Sequence, residues 1–262
     1  MNESMEKADA IYLALVPLAS PEASVVTRAA AIIGKDLPET RILLAGKVPR
    51  LFSRYDTREA AEAVAQKLTG LGLRPILCPD SELRRPPEDF LVRSVEFGPD
   101  YVLFHDRKGQ KREVKSPDAF LLLKGKRESY IISEKTETRV KFSPGKALLT
   151  GGLSLFSTEK KEVTEQSPVV EYFFVRLYTP KSSQPVVEIA HNQVDYSFLK
   201  GEMALSSLAN FNTLVARLKQ AFPGAIFDDN LMRATIKQAY APEDIADTEV
   251  NCKLLYLQYR LK

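Results

Sequence analysis

Residues 11–16, Ile11-Tyr12-Leu13-Ala14-Leu15-Val16, form an apolar run with no polar alternation, and a strand of that kind needs helices over at least one face. The chain supplies them at once. Ser20 stands as an N-cap before Pro21 at the first helical position, where the missing N–H and the fixed φ cost nothing. Val25, Val26, Ala29, Ile32 and Ile33 then recur at helical spacing until Gly34 stops the helix. Asp36 with Glu39 caps a short second helix carrying Ile42, Leu43 and Leu44 up to Gly46. Residues 51–55 read as a strand. Asp56-Thr57-Arg58-Glu59 has the spacing of a capping box, with Asp56 accepting from the Glu59 N–H. The alanine-rich helix that follows turns Val64 and Leu68 inward and stops at Gly70 and Gly72. Residues 73–78 are the closing strand. The order strand, helix, short helix, strand, helix, strand makes residues 1–82 a small α/β sandwich.

Three stretches carry a likeness to known folds: Ile33-Gly34-Lys35-Asp36-Leu37 leading into Leu43-Leu44-Ala45-Gly46 and Val48-Pro49, the helix from Thr57-Arg58-Glu59-Ala60-Ala61-Glu62 to Gly72, and Arg74-Pro75-Ile76-Leu77. Together they make this part resemble the fold shared by the Clp-protease adaptor ClpS and the C-terminal domain of the ribosomal stalk protein. The resemblance implies a module that binds other proteins and catalyses nothing. It carries over the fold and no binding residues.

Residues 83–89, with Arg84-Arg85-Pro86-Pro87, read as a linker, because consecutive prolines favour extended, semi-rigid chain. Beyond them the period switches from helical to alternating over 91–97 and 101–104, with turns at Gly98-Pro99-Asp100 and Arg107-Lys108-Gly109-Gln110. Further strands are expected at 119–124, 130–132, 169–178 and 186–190, around a polar insertion near 135–168. Leu208, Phe211, Val215, Leu218 and Phe222 mark a helix that Pro223-Gly224 ends. Antiparallel strands closed by one amphipathic helix make residues 90–224 resemble a pleckstrin-homology-like barrel. In the extension 225–262, Asp228 is expected to cap a helix carrying Leu231, Ile236 and Tyr240, and residues 250–261 to form a final strand. The fold class is therefore α+β.

The apolar and charged fractions, 44% and 27%, are those of a soluble globular chain, and the formal charge of +3 is too small to imply a nucleic-acid partner. No apolar stretch reaches the ~20 residues of a membrane span. The acidic start, Glu3, Glu6 and Asp9, lacks a signal peptide's basic region, so a cytoplasmic protein of bacterial type is expected. Cys78 and Cys252 each lie in an apolar segment, the usual setting of a buried thiol.

Groups that do chemistry are scarce. His105 and His191 are the only histidines, and without a CxxC or HxxxH pair no metal and no cofactor is expected. Residues 143–147 lack the first glycine and the hydroxyl of a phosphate loop. Gly151-Gly152 reads as a hairpin turn, Asp228-Asp229 as a cap, and residues 192–198 as a recognition groove or a turn with a buried tyrosine. A non-enzymatic adaptor with a protein partner is expected, its contact face formed by Arg58, Glu62 and Gln66. The chief rival is a binder of anionic ligands, nucleic acid or lipid headgroups. Residues 84–146 hold fifteen Lys and Arg against ten Asp and Glu, and Lys108, Lys111, Arg112, Lys124, Lys126 and Arg127 would form a basic rim. A hydrolase would need His105 beside Asp106, or His191 beside Asp195, to meet a nucleophile.

Overall fold

The computed structural model describes the backbone of residues 9–87, 90–142, 156–233 and 236–261, and the side chains of these except 128–142 and 156–171. β1 (Ile11–Leu15) is the middle strand of a three-stranded antiparallel sheet, flanked by β2 (Arg50–Tyr55) and β3 (Pro75–Pro79). Its alternate residues feed two cores. Ile11, Leu13 and Leu15 pack with Val26 and Ala29 of α1 (Ala23–Ile33), Leu43 and Leu44 of α2 (Leu37–Leu44), and Ala61, Ala65 and Leu68 of α3 (Arg58–Thr69). Tyr12, Ala14 and Val16 face the other way, against Leu83 of α4 (Asp80–Arg84) and against Val250 and Leu254 of the last helix. Burial on both faces is why β1 shows no polar alternation.

Helix ends were legible with small shifts. Gly34 ends α1 at φ 69°, the left-handed conformation that glycine adopts without a Cβ penalty, and Asp36 accepts from the Glu39 N–H at 2.7 Å. Two caps differ from expectation. Glu22, with no side-chain bond, precedes α1 in place of Ser20, since Pro21 and Glu22 still belong to the extended chain. Thr57 caps α3 in place of Asp56, whose carboxylate is held by Arg54 at 3.1 Å.

The rest of the chain forms two more sheets. β4 (Val92–Phe97), β5 (Tyr101–Asp106) and β6 (Lys111–Lys115) make an antiparallel meander. β7 (Leu121–Phe142), β8 (Phe156–Tyr178), β9 (Val187–Ala190) and β10 (Ile226–Leu231) make a sheet of order β10-β7-β8-β9. Among the described residues neither sheet closes into a barrel, and β10 runs parallel to β7, so the second sheet is mixed. Between them lie Val95, Val102, Phe104, Leu122, Val175 and Leu177, with Phe211, Leu214 and Leu218 of α5 (Ser207–Ala221).

Two expectations for the tail are reversed. Asp228 caps no helix: residues 226–231 are strand, Ile236 and Tyr240 lie in irregular chain, and the buried Asp228 carboxylate accepts from the Asn230 N–H at 2.7 Å and the Tyr259 hydroxyl at 2.6 Å. Residues 250–260 are helix rather than strand, within α6 (Asp247–Arg260). Val250 and Leu254 of α6 enter the core under the first sheet, while Cys252, Leu255 and Tyr256 enter a fourth core with Leu121, Leu123, Phe174 and Tyr178 of the mixed sheet. A helix covered from two sides is buried nearly all round, polar Thr248, Asn251 and Lys253 included, and Val250, Cys252, Leu254 and Tyr256 then imitate the period of a strand.

The chain up to Arg127 and from Phe173 onward packs as one compact unit, and Glu128–Tyr172 as a second. The expected boundary at 83–89 lies inside the first unit, with α4 at its start. The expected insertion near 135–168 falls in the second, where strand continues to Phe142 and resumes at Phe156. Residues 143–147 and Gly151-Gly152 lie outside the described residues.

Candidate protein-interaction surface

Ala61, Ala65 and Leu68 turn one side of α3 into the core, so the row at Arg58, Glu62 and Gln66, four residues apart, takes the flank roughly a quarter turn round the helix. All three are exposed, and Arg58 lies 3.6 Å from Glu62. Glu62 and Gln66 border a shallow depression of about 370 Å³ between α3 and β3, lined also by Ala65, Thr69, Pro75 and Leu77. Among the described residues β3 pairs only with β1. The bonds Val16 N–H to Arg74 O and Asp80 N–H to Ala10 O mean that even-numbered residues of this strand bond inward and Pro75, Leu77 and Pro79 point outward. Two of those three have no N–H, so the prolines blunt the edge without costing the ladder a bond.

The expected basic rim is divided. Lys108 and Lys111 are exposed at the β5–β6 hairpin. Arg112 reaches the Val186 carbonyl and stacks over Phe90 at 4.4 Å. On β7, Lys124 donates to Asn212 at 2.8 Å, Lys126 is half-buried, and Arg127 pairs with Glu249. Burial lowers the Lys124 pKa, which a lysine bathed in solvent would not show.

A charge cluster that the sequence reading missed lies deeper. Arg176, whose side chain is 2% exposed, donates from Nε to Glu188 at 2.7 Å and from both terminal nitrogens to Glu249 at 2.7 Å. Arg127 joins them, 3.8 Å from Glu188. Two guanidinium and two carboxylate groups thus neutralise one another. Lys253 donates to the carbonyls of Glu82, Leu83 and Arg85, at 3.0 Å for the last, and so holds the C-terminal end of α4. A cleft of about 230 Å³ opens beside these groups, edged by Arg84, Pro86, Pro87 and Asp244. The signal was present in the sequence: a lone arginine in Phe173-Phe174-Val175-Arg176-Leu177-Tyr178 and a lone glutamate in Val187-Glu188-Ile189 are buried charges in need of partners.

The histidines have separate settings. His191 Nδ1 accepts from the Phe173 N–H at 3.0 Å, and its ring packs edge-on to Phe173 and Phe211. His105 Nε2 is 2.9 Å from Glu96, whose carboxylate is exposed, without hydrogen-bond alignment; Asp106 instead accepts from the Lys108 and Gln110 N–H groups of the turn. In 192–198, Tyr196 is buried and donates to the His191 carbonyl at 2.7 Å, while Asp195 accepts from the Ser197 N–H. Of the adjacent acids, Asp228 is buried and Asp229 exposed. Burial pushes the Cys78 and Cys252 thiols up to about 12, far from the thiolate form. Among the described residues no three His, Cys, Asp or Glu side chains could together hold a metal ion, and no helix is long and apolar enough to cross a membrane.

No protein-family description, curated protein or solved structure matches this chain.

Proposed function

We propose that this chain is a non-enzymatic adaptor that docks a protein partner on the face of α3 beside the edge of β3. The observation that carries the reading is the joining of Glu62 and Gln66 to an apolar floor of Ala65, Pro75 and Leu77 in one open depression, where exposed polar groups rim apolar surface as they do in protein interfaces. On this reading residues 1–82 act as a ClpS-like or stalk-like α/β sandwich, supported by the βααβαβ order and the Gly34 and Asp36 helix ends. The likeness of 90–224 to a pleckstrin-homology-like barrel rests on α5 packed across its strands. Exposed Lys108 and Lys111 favour the rival reading, an anion binder; Arg112 and Arg127 speak against it, because both guanidinium groups have partners within the protein.

A photo-crosslinking residue at Gln66 is expected to trap a discrete partner in cells, and the same residue at Lys108 is expected not to. Glu62→Lys should abolish the adduct. Raising the salt should weaken it only mildly, whereas anion binding falls steeply with salt. Equal trapping from both positions would count against the α3 face.

A further inference from the structure

The outer edges of the sheets are treated differently. At β2 the Gln238 amide accepts from the Leu51 N–H at 2.8 Å and donates to the Pro49 carbonyl at 2.9 Å, filling the place of a neighbouring peptide group. At β3 the outward positions carry Pro75 and Pro79. The edge of β4 receives the Asp195 N–H on the Arg93 carbonyl at 2.7 Å, and β9 gives its Glu188 N–H to Phe90 at 3.1 Å. Among the described residues β6 has no such device. Its one partner among the described strands is β5, and the bonds Ser116 N–H to Asp100 O and Asp106 N–H to Gln110 O fix even-numbered residues as the inward ones. The N–H and C=O groups of Lys111, Glu113 and Lys115 therefore face outward, with all three side chains exposed, and no described strand lies against them. A groove of about 170 Å³ runs beside this edge, with Val114, Thr179, Pro180 and Val186 in its lining.

We propose that β6 is a strand-addition site for an extended segment of a partner protein whose residues read acidic, β-branched, basic, β-branched, acidic. Residues directly opposite on neighbouring strands share a face. The two acidic residues therefore meet Lys111 and Lys115, the basic residue meets Glu113, and the β-branched pair turns to the inner face, into the groove. The pattern reads the same in both directions, so parallel and antiparallel addition are served alike. A second copy of β6 fits worse. Pairing centred on Glu113 sets Lys111 against Lys115 twice, pairing centred on Arg112 uses only residues 111 and 113 before the chain turns at Gly109, and pairing centred on Val114 uses only residues 113 and 115 before the turn at Ser116–Asp118. This site deepens the adaptor reading by giving the protein a second surface, and its test leaves the α3 face untouched.

The probe is a fluorescein-labelled peptide, Ser-Thr-Glu-Val-Lys-Val-Glu-Thr-Ser, titrated with the full chain and read by anisotropy. Saturable binding with Kd below about 1 mM is expected, and the charge-swapped peptide with Lys-Val-Glu-Val-Lys should bind about tenfold more weakly. Glu113→Pro removes one outward donor and no bond to β5, so it should cut binding about tenfold with an unchanged circular dichroism spectrum. Because loss of binding can follow from misfolding, the triple variant Lys111→Glu, Glu113→Lys, Lys115→Glu supplies a gain: it should reverse the preference between the two peptides. Absence of saturation, equal binding of both peptides, or a preference unmoved by the triple variant would overturn the proposal. Dimerisation that Glu113→Pro abolishes would also overturn it, by assigning the edge to a second copy.

Discussion

Arg176 sits in an apolar strand because Glu188 and Glu249 accept from its guanidinium group at 2.6–2.7 Å. Replacing a buried ion cluster with matched apolar groups is often neutral, whereas removing one member strands the others, at a cost of about 3–5 kcal/mol. Burial pushes the Glu249 carboxyl up, but the hydrogen bonds from Arg176 and the charges of Arg176, Arg127 and Lys253 outweigh it, and the net displacement is downward. A carboxyl held below its unfolded value, about 4.3 for glutamate, stabilises the fold above that pH and loses its contribution as pH falls through the folded value. Glu249→Gln should therefore destabilise by about 3 kcal/mol near pH 7, with the gap from the natural protein shrinking toward about pH 3. Urea titrations at both pH values measure this; a gap independent of pH would show that Glu249 acts through packing alone.

Helices with one buried face announced themselves, and the helix buried on two did not. α1, α3 and α5 each have a polar side, so their apolar residues recur at helical spacing and their ends fall near Gly34, Thr57 and Phe222. α6 has no exposed side, so its polar Thr248, Asn251 and Lys253 are buried beside its apolar residues, and β10 carries a buried Asp228 whose partner, Tyr259, is distant in sequence. Close approach imposes its own demand at Gly125 of β7. A Cβ there would lie 2.6 Å from the Phe174 ring and 3.1 Å from Leu231, where β7 meets both β8 and β10. Gly125→Ala should cost about 1–3 kcal/mol through overpacking, read as a lower melting temperature. Pairing it with Phe174→Leu should recover part of that loss, because the ring is the obstacle.

At the scale of the whole molecule, α6 is the layer that two sheets share. Leu254 belongs to the core under the first sheet and Leu255 to the core under the mixed sheet, both fully buried. Leu254→Ala and Leu255→Ala should each cost about 2–5 kcal/mol, and each should lower one common unfolding transition. Hydrogen exchange in β1 decides the matter: if Leu255→Ala leaves β1 protection unchanged, the part before residue 83 unfolds on its own. By itself the sequence determined the βααβαβ order, the helix stops at Gly34 and Gly70, the exposed row at Arg58, Glu62 and Gln66, and the α+β class. Each of these follows from neighbours a few residues apart, through capping bonds and one-sided burial. Only the tertiary structure decided that α6 is a helix, that Arg127 belongs to a buried cluster rather than a basic rim, and that β6 keeps an open edge. Those outcomes depend on which distant segment covers a face or satisfies a charge, and local periodicity holds no record of a partner a hundred residues away.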